Sequence, residues 1–247
     1  MSESDHNNVL AVDTALGACS VAVLDGDTVL AHRFVEMTRG HAEALAPMVD
    51  ETMRQSGLTF AALDRLAVTT GPGTFTGQRV GLAFMRGLRV GLKKPLIGVT
   101  TLEVMAAATG ADRAAAIHDA KRDEAYLLLW EKHATVLAPT VMPFDEAVAR
   151  IRAFGPCALC GTGANAASAA LGEDFALSDI RQPDALWVAR LAMTRPVPDH
   201  PPAPLYLRAP DAKLPGSIGQ EPVATAYRRE PASAGEPVFR PDVRPKR

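Results

Sequence analysis

The chain has 247 residues, of which 47% are hydrophobic and 22% are charged, and its formal net charge at pH 7 is −2. This length and composition indicate a globular protein with one large or two small domains. The near balance of charge excludes a strong positive field over the whole molecule, so we expect no tight grip on nucleic acid by this chain alone.

Cysteine content and hydropathy indicate in which cellular compartment the protein acts. The three cysteines, Cys19, Cys157 and Cys160, are too few for a disulfide framework. The last two have C-x-x-C spacing, but no second pair or histidine cluster accompanies them, so the sequence predicts no zinc site. No apolar run approaches the roughly 18 to 20 residues of a membrane span, and the first six residues lack the pattern of a signal peptide. We therefore expect a cytoplasmic protein.

Apolar patterns in the first hundred residues predict the element order βββαβα, followed by a further strand. Continuous or alternating apolar runs indicate strands at 9–15, 19–25, 28–36, 65–70 and 95–99. Apolar residues at three- or four-residue steps indicate helices at 41–56 and 77–93.

The second half of the chain repeats this order of strands and helices. Strands are predicted at 114–119, 125–132, 135–141 and 157–160, and helices at 144–154, 165–171 and 184–194. The predicted fold class is therefore α/β, with two tandem βββαβα units in the layout of the actin-like and sugar-kinase ATPase superfamily. We expect an N-terminal lobe at 1–105, a C-terminal lobe at 106–215 and, where apolar periodicity ends, a disordered tail at 216–247.

A glycine-rich turn at 69–82 joins a strand to a long apolar helix. Gly71, Gly73 and Gly77 can adopt backbone angles that other residues avoid, and Pro72 fixes one φ. Such a turn indicates close backbone contact, and its N–H groups at the helix start could receive an anion. Taken alone, such a turn is a weak motif, and a purely structural role explains it as well.

The segments around this turn resemble one family, in their order and spacing. The resemblance is carried by residues 10–15, 18–23, 40–48 and 69–82, and by the Tyr-Leu-Arg-Ala-Pro-Asp element at 206–211. On these residues the chain resembles the bacterial TsaB family. The resemblance implies a subunit in the biosynthesis of N6-threonylcarbamoyladenosine at position 37 of tRNA, which pairs with the catalytic subunit TsaD and with the ATPase TsaE.

A comparison with TsaD bears on catalysis. TsaD resembles this chain through the same turn and helix, but carries two metal-binding histidines four residues apart on the next helix. Thr101 and Met105 stand at those positions here, and neither side chain readily replaces imidazole on a catalytic ion. The resemblance therefore implies a non-catalytic scaffold that contacts tRNA only through the complex.

A degenerate nucleotide site is the main alternative. Asp13 ends the first strand, where ATPases of this architecture place a carboxylate, although an Asx turn would explain it equally well. Gly161, Gly163 and Asn165 follow a predicted strand, where the superfamily's adenosine loop has a Gly-Gly pair and an asparagine. The match is degraded, and the glycines could equally serve only the strand-to-helix turn. An active small-molecule kinase would need both groups, and a metallopeptidase would need a bound metal. The resemblance implies no cofactor for the lone chain, with ATP or ADP bound, if at all, in the complex.

Two helices carry apolar rows that suit a partner. The predicted partner-binding residues are Leu45, Val49, Met53, Val80, Phe84 and Leu88. A second row, Ala83, Gly87 and Gly91, has almost no side-chain bulk and would let another backbone approach closely. The resemblance implies that helices 41–56 and 77–93 pair with TsaD. The same helices make a homodimer plausible when TsaD is absent.

Overall fold

A computed structural model describes residues 7–208 and shows a mixed α/β protein with two five-stranded sheets. The first series of elements is β1 (Asn8–Asp13), β2 (Ala18–Asp25), β3 (Thr28–Glu36), α1 (His41–Ser56), β4 (Arg65–Thr69), α2 (Phe75–Leu92), β5 (Leu96–Val99) and α3 (Thr101–Ala108). The second series is β6 (Arg113–Lys121), β7 (Glu124–Glu131), β8 (Ala134–Pro143), α4 (Phe144–Phe154), β9 (Ala158–Cys160), α5 (Ala164–Leu171), β10 (Ala176–Leu177) and α6 (Ala185–Met193).

Both sheets have the same topology. The first sheet has the order β3-β2-β1-β4-β5, and the second has the corresponding order β8-β7-β6-β9-β10. In each sheet the first three strands are antiparallel and the last two run parallel to the central strand. The predicted fold class, α/β with two tandem βββαβα units, is confirmed by this repeated order.

The central strand β1 is buried on both faces, which explains its continuous apolar sequence. Leu10 and Val12 point into a core cluster formed with α1 and α2. Val9 and Ala11 point the other way, into a cluster formed with α6. A strand covered on both faces needs no polar alternation. Its carboxyl end, with Asp13, is therefore held inside the protein.

The two lobes exchange one helix each. Leu102 and Met105 of α3 pack on the second sheet, against Ala114 and Leu128. Helix α6 packs instead on the first sheet. We call β1–β5 with α1, α2 and α6 the first lobe, and β6–β10 with α3, α4 and α5 the second lobe. The predicted boundary between residues 105 and 106 falls inside α3.

The predicted carboxyl-terminal tail and the prediction that no segment spans a membrane remain to be compared with the structure. The disordered tail predicted at 216–247 lies outside the described residues. Within residues 7–208, no helix has the length and apolar character needed to cross a membrane.

Candidate functional site

The glycine-rich turn packs against the loop that follows β1. A Cβ atom added at Gly73 would lie 2.4 Å from the carbonyl oxygen of Ala15, and one at Gly77 would lie 2.2 Å from that of Thr14. Both distances are far below a normal van der Waals contact, so only glycine fits at these two positions. The close backbone contact predicted for the turn is thus present, and its partner is the chain itself.

Hydrogen bonds at the start of α2 also stay within the chain. The Thr74 N–H donates to the Ala15 carbonyl at 2.8 Å, and the Thr74 hydroxyl oxygen accepts from the Gly77 N–H at 3.0 Å as the helix cap. The Thr14 hydroxyl oxygen accepts from the Gly81 N–H at 3.0 Å. The bonds to Ala15 and Thr14 fix α2 to the end of β1, and the bond to Thr74 caps the helix, so none of these three N–H groups is available to an anion.

Asp13 is completely buried at the end of β1. Its Oδ1 accepts hydrogen bonds from the Thr69 hydroxyl at 2.5 Å and from the Ala15 N–H at 3.2 Å, the second being the Asx turn that the sequence offered as an alternative. Its Oδ2 has no hydrogen-bond partner among the described residues. Burial raises the pKa of Asp13 to about 7, the two hydrogen bonds lower it, and the negative charge of Asp184 raises it further. This carboxyl group does not face solvent.

The loop between β9 and α5 is also held by internal contacts. Gly161 has φ +96, and a Cβ there would lie 2.3 Å from the Ile117 carbonyl oxygen. The Gly163 N–H donates to the same carbonyl at 3.0 Å, and the Asn165 side-chain oxygen accepts from Arg181 at 2.9 Å. Gly163 lines a cavity of about 750 Å³, which also contains Thr162, Ala166 and the β6–β7 turn. Asp13 is not among the residues that line it.

The predicted nucleotide residues therefore do not fit a nucleotide in this geometry. Asp13 has no exposed surface to meet a phosphate or its metal. Gly161 and Gly163 press against Ile117, and the Asn165 side chain is occupied by Arg181. The glycines and the asparagine shape the strand-to-helix turn, and we derive no chemical step through a nucleotide.

The positions matched to the TsaD histidines are buried in helix packing. Thr101 and Met105 both have no exposed surface, and Met105 lies in the cluster that joins α3 to the second sheet. The Thr101 hydroxyl has no hydrogen-bond partner within the part of the chain described. Across residues 7–208, no three His, Cys, Asp or Glu side chains lie close enough together to hold a metal ion.

The structure corrects half of the predicted partner surface. Leu45, Val49 and Met53 are at most 2% exposed, and all three lie in the core of the first lobe. They cannot contact another protein because this chain's own sheet covers them. Val80, Phe84 and Leu88 are half-buried and pack along the edge of the same core. Only this second trio retains surface.

The exposed side of α1 and α2 carries small residues instead. We call this surface the small-residue face, and its exposed members are Ala42, Ala46 and Pro47 of α1 and Ala83, Gly87 and Gly91 of α2. A Cβ added at Gly87 or Gly91 would meet no atom within 4 Å. The two glycines are therefore not required by packing inside the chain. Their four-residue spacing was visible in the sequence, but their exposure was not.

A carboxyl-terminal strap at 201–208 ties the first lobe to the second. Its Leu205 N–H donates to the Thr70 carbonyl at 2.7 Å, and its Tyr206 hydroxyl accepts from Arg79 of α2 at 2.8 Å. Arg208, two residues later, forms an ion pair with Glu124 in the second lobe. The strap contains the first three residues of the Tyr-Leu-Arg-Ala-Pro-Asp element. The contact of Tyr206 with Arg79 could not be predicted from the sequence.

Comparisons with known proteins decide the family. Residues 28–168, more than half of the chain, match the family model described as "TsaD: tRNA N6-adenosine threonylcarbamoyltransferase". The tRNA threonylcarbamoyladenosine biosynthesis protein TsaB of Haemophilus influenzae is 32% identical over 232 residues, covering 84% of this chain and 97% of that protein. The chain belongs to the TsaB family. The TsaB protein of Escherichia coli is 42% identical over 122 residues, covering 48% of this chain and about half, 52%, of that relative.

Solved structures extend the TsaB likeness to the fold. A Pseudomonas aeruginosa protein described as similar to peptidase YeaZ superposes with a TM-score of 0.69 at 27% identity, covering 82% of this chain and all of that chain. A second structure, YeaZ from Pseudomonas aeruginosa, gives a TM-score of 0.64 at 29% identity, covering 75% of this chain and 90% of that one. The chain therefore shares the fold of these two proteins over most of its length.

Proposed function

We propose that the chain is the non-catalytic partner of TsaD in the biosynthesis of threonylcarbamoyladenosine in tRNA, and that it acts in the cytoplasm. Membership of the TsaB family supports the pathway. The observation that carries the partner role is the small-residue face, because its two glycines and three alanines leave the backbone open to close approach by other helices.

The surroundings of this face have the composition of a protein interface. Val80, Phe84 and Leu88 form its apolar margin along α2, and each keeps part of its surface exposed. Val90, in the last turn of the helix, is 73% exposed. When a partner excludes water from exposed aliphatic side chains, the free energy of the complex falls, and small residues beside them let the partner come close. We infer that TsaD packs its own helices here.

The two other functions receive no support from the geometry. A small-molecule kinase would need Asp13 at an open phosphate site, but Asp13 is sealed beneath the glycine-rich turn. A metallopeptidase would need ligands at the start of α3, where Thr101 and Met105 are packed in the interior. The partner role requires neither site, since TsaD supplies the chemistry.

The first prediction concerns a bulky residue on the small-residue face. Gly87→Phe should weaken association with TsaD by at least about thirtyfold, the effect of a ~2 kcal/mol change at the centre of an interface. Gly87 is exposed and a Cβ added there meets no atom within 4 Å, so we expect the isolated chain to fold as the wild type does. Calorimetric titration of the host's TsaD with the purified variant would measure the loss.

A matched control is available on the second lobe. Ala149 is an exposed small residue on α4, away from the small-residue face. Ala149→Phe should therefore pair with TsaD as the wild type does. If Gly87→Phe binds TsaD as tightly as the wild type does, TsaD does not bind the small-residue face.

The proposal also covers the homodimer, TsaE and the nucleotide. When TsaD is absent, two copies of this chain could pair through their small-residue faces, because a symmetric contact uses one patch twice. TsaE would bind the pair formed with TsaD, and ATP or ADP would belong to that complex. The mass of the species formed by the chain alone, with TsaD, and with both proteins would test each step.

A further inference from the structure

Helix α2 and the two lysines that follow it concentrate positive charge in a chain that is otherwise acidic. Residues 75–94 contain five basic residues and no acidic residue. The chain as a whole has a formal charge of −2, so the remaining residues carry −7. The basic residues are Arg79, Arg86, Arg89, Lys93 and Lys94. A local excess of this size attracts a polyanion even though the average charge does not.

Two exposed aromatic rings lie at the amino end of the same helix. Phe75 is 59% exposed and Tyr206 of the strap is 47% exposed. Their ring centroids are 6.0 Å apart with planes inclined by 26°, and the Arg79 guanidinium carbon lies 3.5 Å from the Phe75 centroid. We call Phe75, Arg79 and Tyr206 the Phe75 cluster. The Arg79 guanidinium covers one face of Phe75 and donates from Nε to the Tyr206 hydroxyl, so the cluster presents to solvent the remaining exposed parts of the two rings and the other N–H groups of Arg79.

The Phe75 cluster does not coincide with the small-residue face. Arg79 and Arg86 lie on the side of α2 that meets the strap, where Arg86 donates to the Pro202 carbonyl at 2.6 Å. Val80 and Phe84 lie on the other side, along the core shared with α1. Ala83 is one helical turn after Arg79, so the two surfaces adjoin along α2. Phe75 and Tyr206 lie beyond the small-residue face, at the amino end of the helix and on the strap.

We propose that the Phe75 cluster and the basic side of α2 bind RNA directly, with phosphates paired to the arginines and an unstacked base resting on Phe75 or Tyr206. This inference rests on the proposed function, which brings the chain to a tRNA. Exposed aromatic rings interleaved with arginine are the platform on which single-stranded bases stack, and the absence of acidic residues on α2 suits a phosphate backbone. The chain then contacts tRNA itself, and not only through TsaD.

The test measures RNA affinity of the full chain. The probes are a fluorescent single-stranded oligoribonucleotide and an unmodified tRNA transcript, titrated at several salt concentrations. Arg79→Gln should reduce affinity about tenfold and lower the slope of log K against log salt by about 0.7, the value for one lost phosphate contact on a single strand. Phe75→Leu should reduce affinity about tenfold and leave the slope unchanged, because stacking carries no counterion release.

Matched controls separate this surface from general effects. Phe34→Leu removes an exposed ring on β3, and Arg150→Gln removes an exposed arginine on α4; neither should change RNA affinity. Thermal unfolding of every variant checks the fold, and Arg86→Gln provides a second arginine variant should Arg79→Gln be destabilised.

Other outcomes overturn the inference. No binding by the wild type, or equal losses in the control variants, would exclude this surface as an RNA site. Variants that bind RNA normally but lose TsaD would show that it is a protein interface. Pairing with TsaD is measured separately through Gly87→Phe, so the RNA inference can fail while the proposed function stands.

Discussion

The free energy of unfolding should fall by about 4 kcal/mol as the pH rises from about 4 to above 7, because of Asp13 alone. Its pKa is raised from 3.8 to about 7 in the folded chain, so the folded state holds a proton that the unfolded state has released. Between these two values each pH unit costs about 1.36 kcal/mol of stability, and above pH 7 the cost stays constant. Denaturant titrations at pH 5, 6, 7 and 8 would record the decline.

Asp13→Asn is the diagnostic variant. Asparagine keeps an oxygen that can accept from Thr69 and Ala15, but it carries no charge at any pH. We expect its stability to vary much less with pH than that of the wild type. Asp27→Asn, in the exposed β2–β3 turn, serves as the control and should follow the wild type. If Asp13→Asn and wild type decline in parallel, Asp13 is not the source.

Gly77→Ala should destabilise the chain by about 3 kcal/mol or more. The new methyl group would lie 2.2 Å from the Thr14 carbonyl oxygen and 2.6 Å from the Thr74 hydroxyl, so the backbone must move. Inserting one carbon into such tight packing costs about 1–3 kcal/mol, and here the obstructing atom belongs to the backbone. Urea unfolding of the purified variant measures the effect.

Gly87→Ala on the same helix is the matched control for this substitution. It adds the same methyl group where no atom lies within 4 Å. Alanine is a better helix former than glycine by about 1 kcal/mol, so this variant should be as stable as the wild type or more so. If Gly77→Ala also proves neutral, the glycine-rich turn does not lock α2 to the end of β1.

Periodicity and apolar runs were sufficient to predict most of the architecture. The continuous apolar runs of β1, β2 and β6 mark buried strands because helices cover both faces of each sheet. Helices α1 and α2 were predicted to within two residues because each has one strongly apolar side. The repeat of this order in the second half followed from pattern alone.

The pattern failed where periodicity is absent. Helix α3 has eight residues, and its Leu102, Val104, Met105 and Ala106 are buried on several sides, so it shows no amphipathic stripe. Its amino end carries a capping box formed by Thr100 and Glu103, which was the one local signal of a helix start. Strand β10 has only two residues, too few for any alternation.

The candidate sites could not be predicted fully, because residue spacing in the sequence does not show which side chains are buried. On α1 the larger side chains Leu45 and Met53 face the core, since burying more apolar area gives more stabilisation. The smaller Ala42 and Ala46 remain exposed and become part of the proposed interface. Asp13 occupies the strand end that the sequence indicated, but the glycine-rich turn above it closes the site.

The most direct test is to reconstitute tRNA modification with and without this chain. The host's TsaD and TsaE, an unmodified tRNA and a source of threonylcarbamoyl-adenylate would be combined, and threonylcarbamoyladenosine in the digested tRNA would be quantified by mass spectrometry. We expect modification only when the chain is present, and much less with Gly87→Phe than with Ala149→Phe. Equal modification in its absence would contradict the proposal that TsaD requires this chain as its partner.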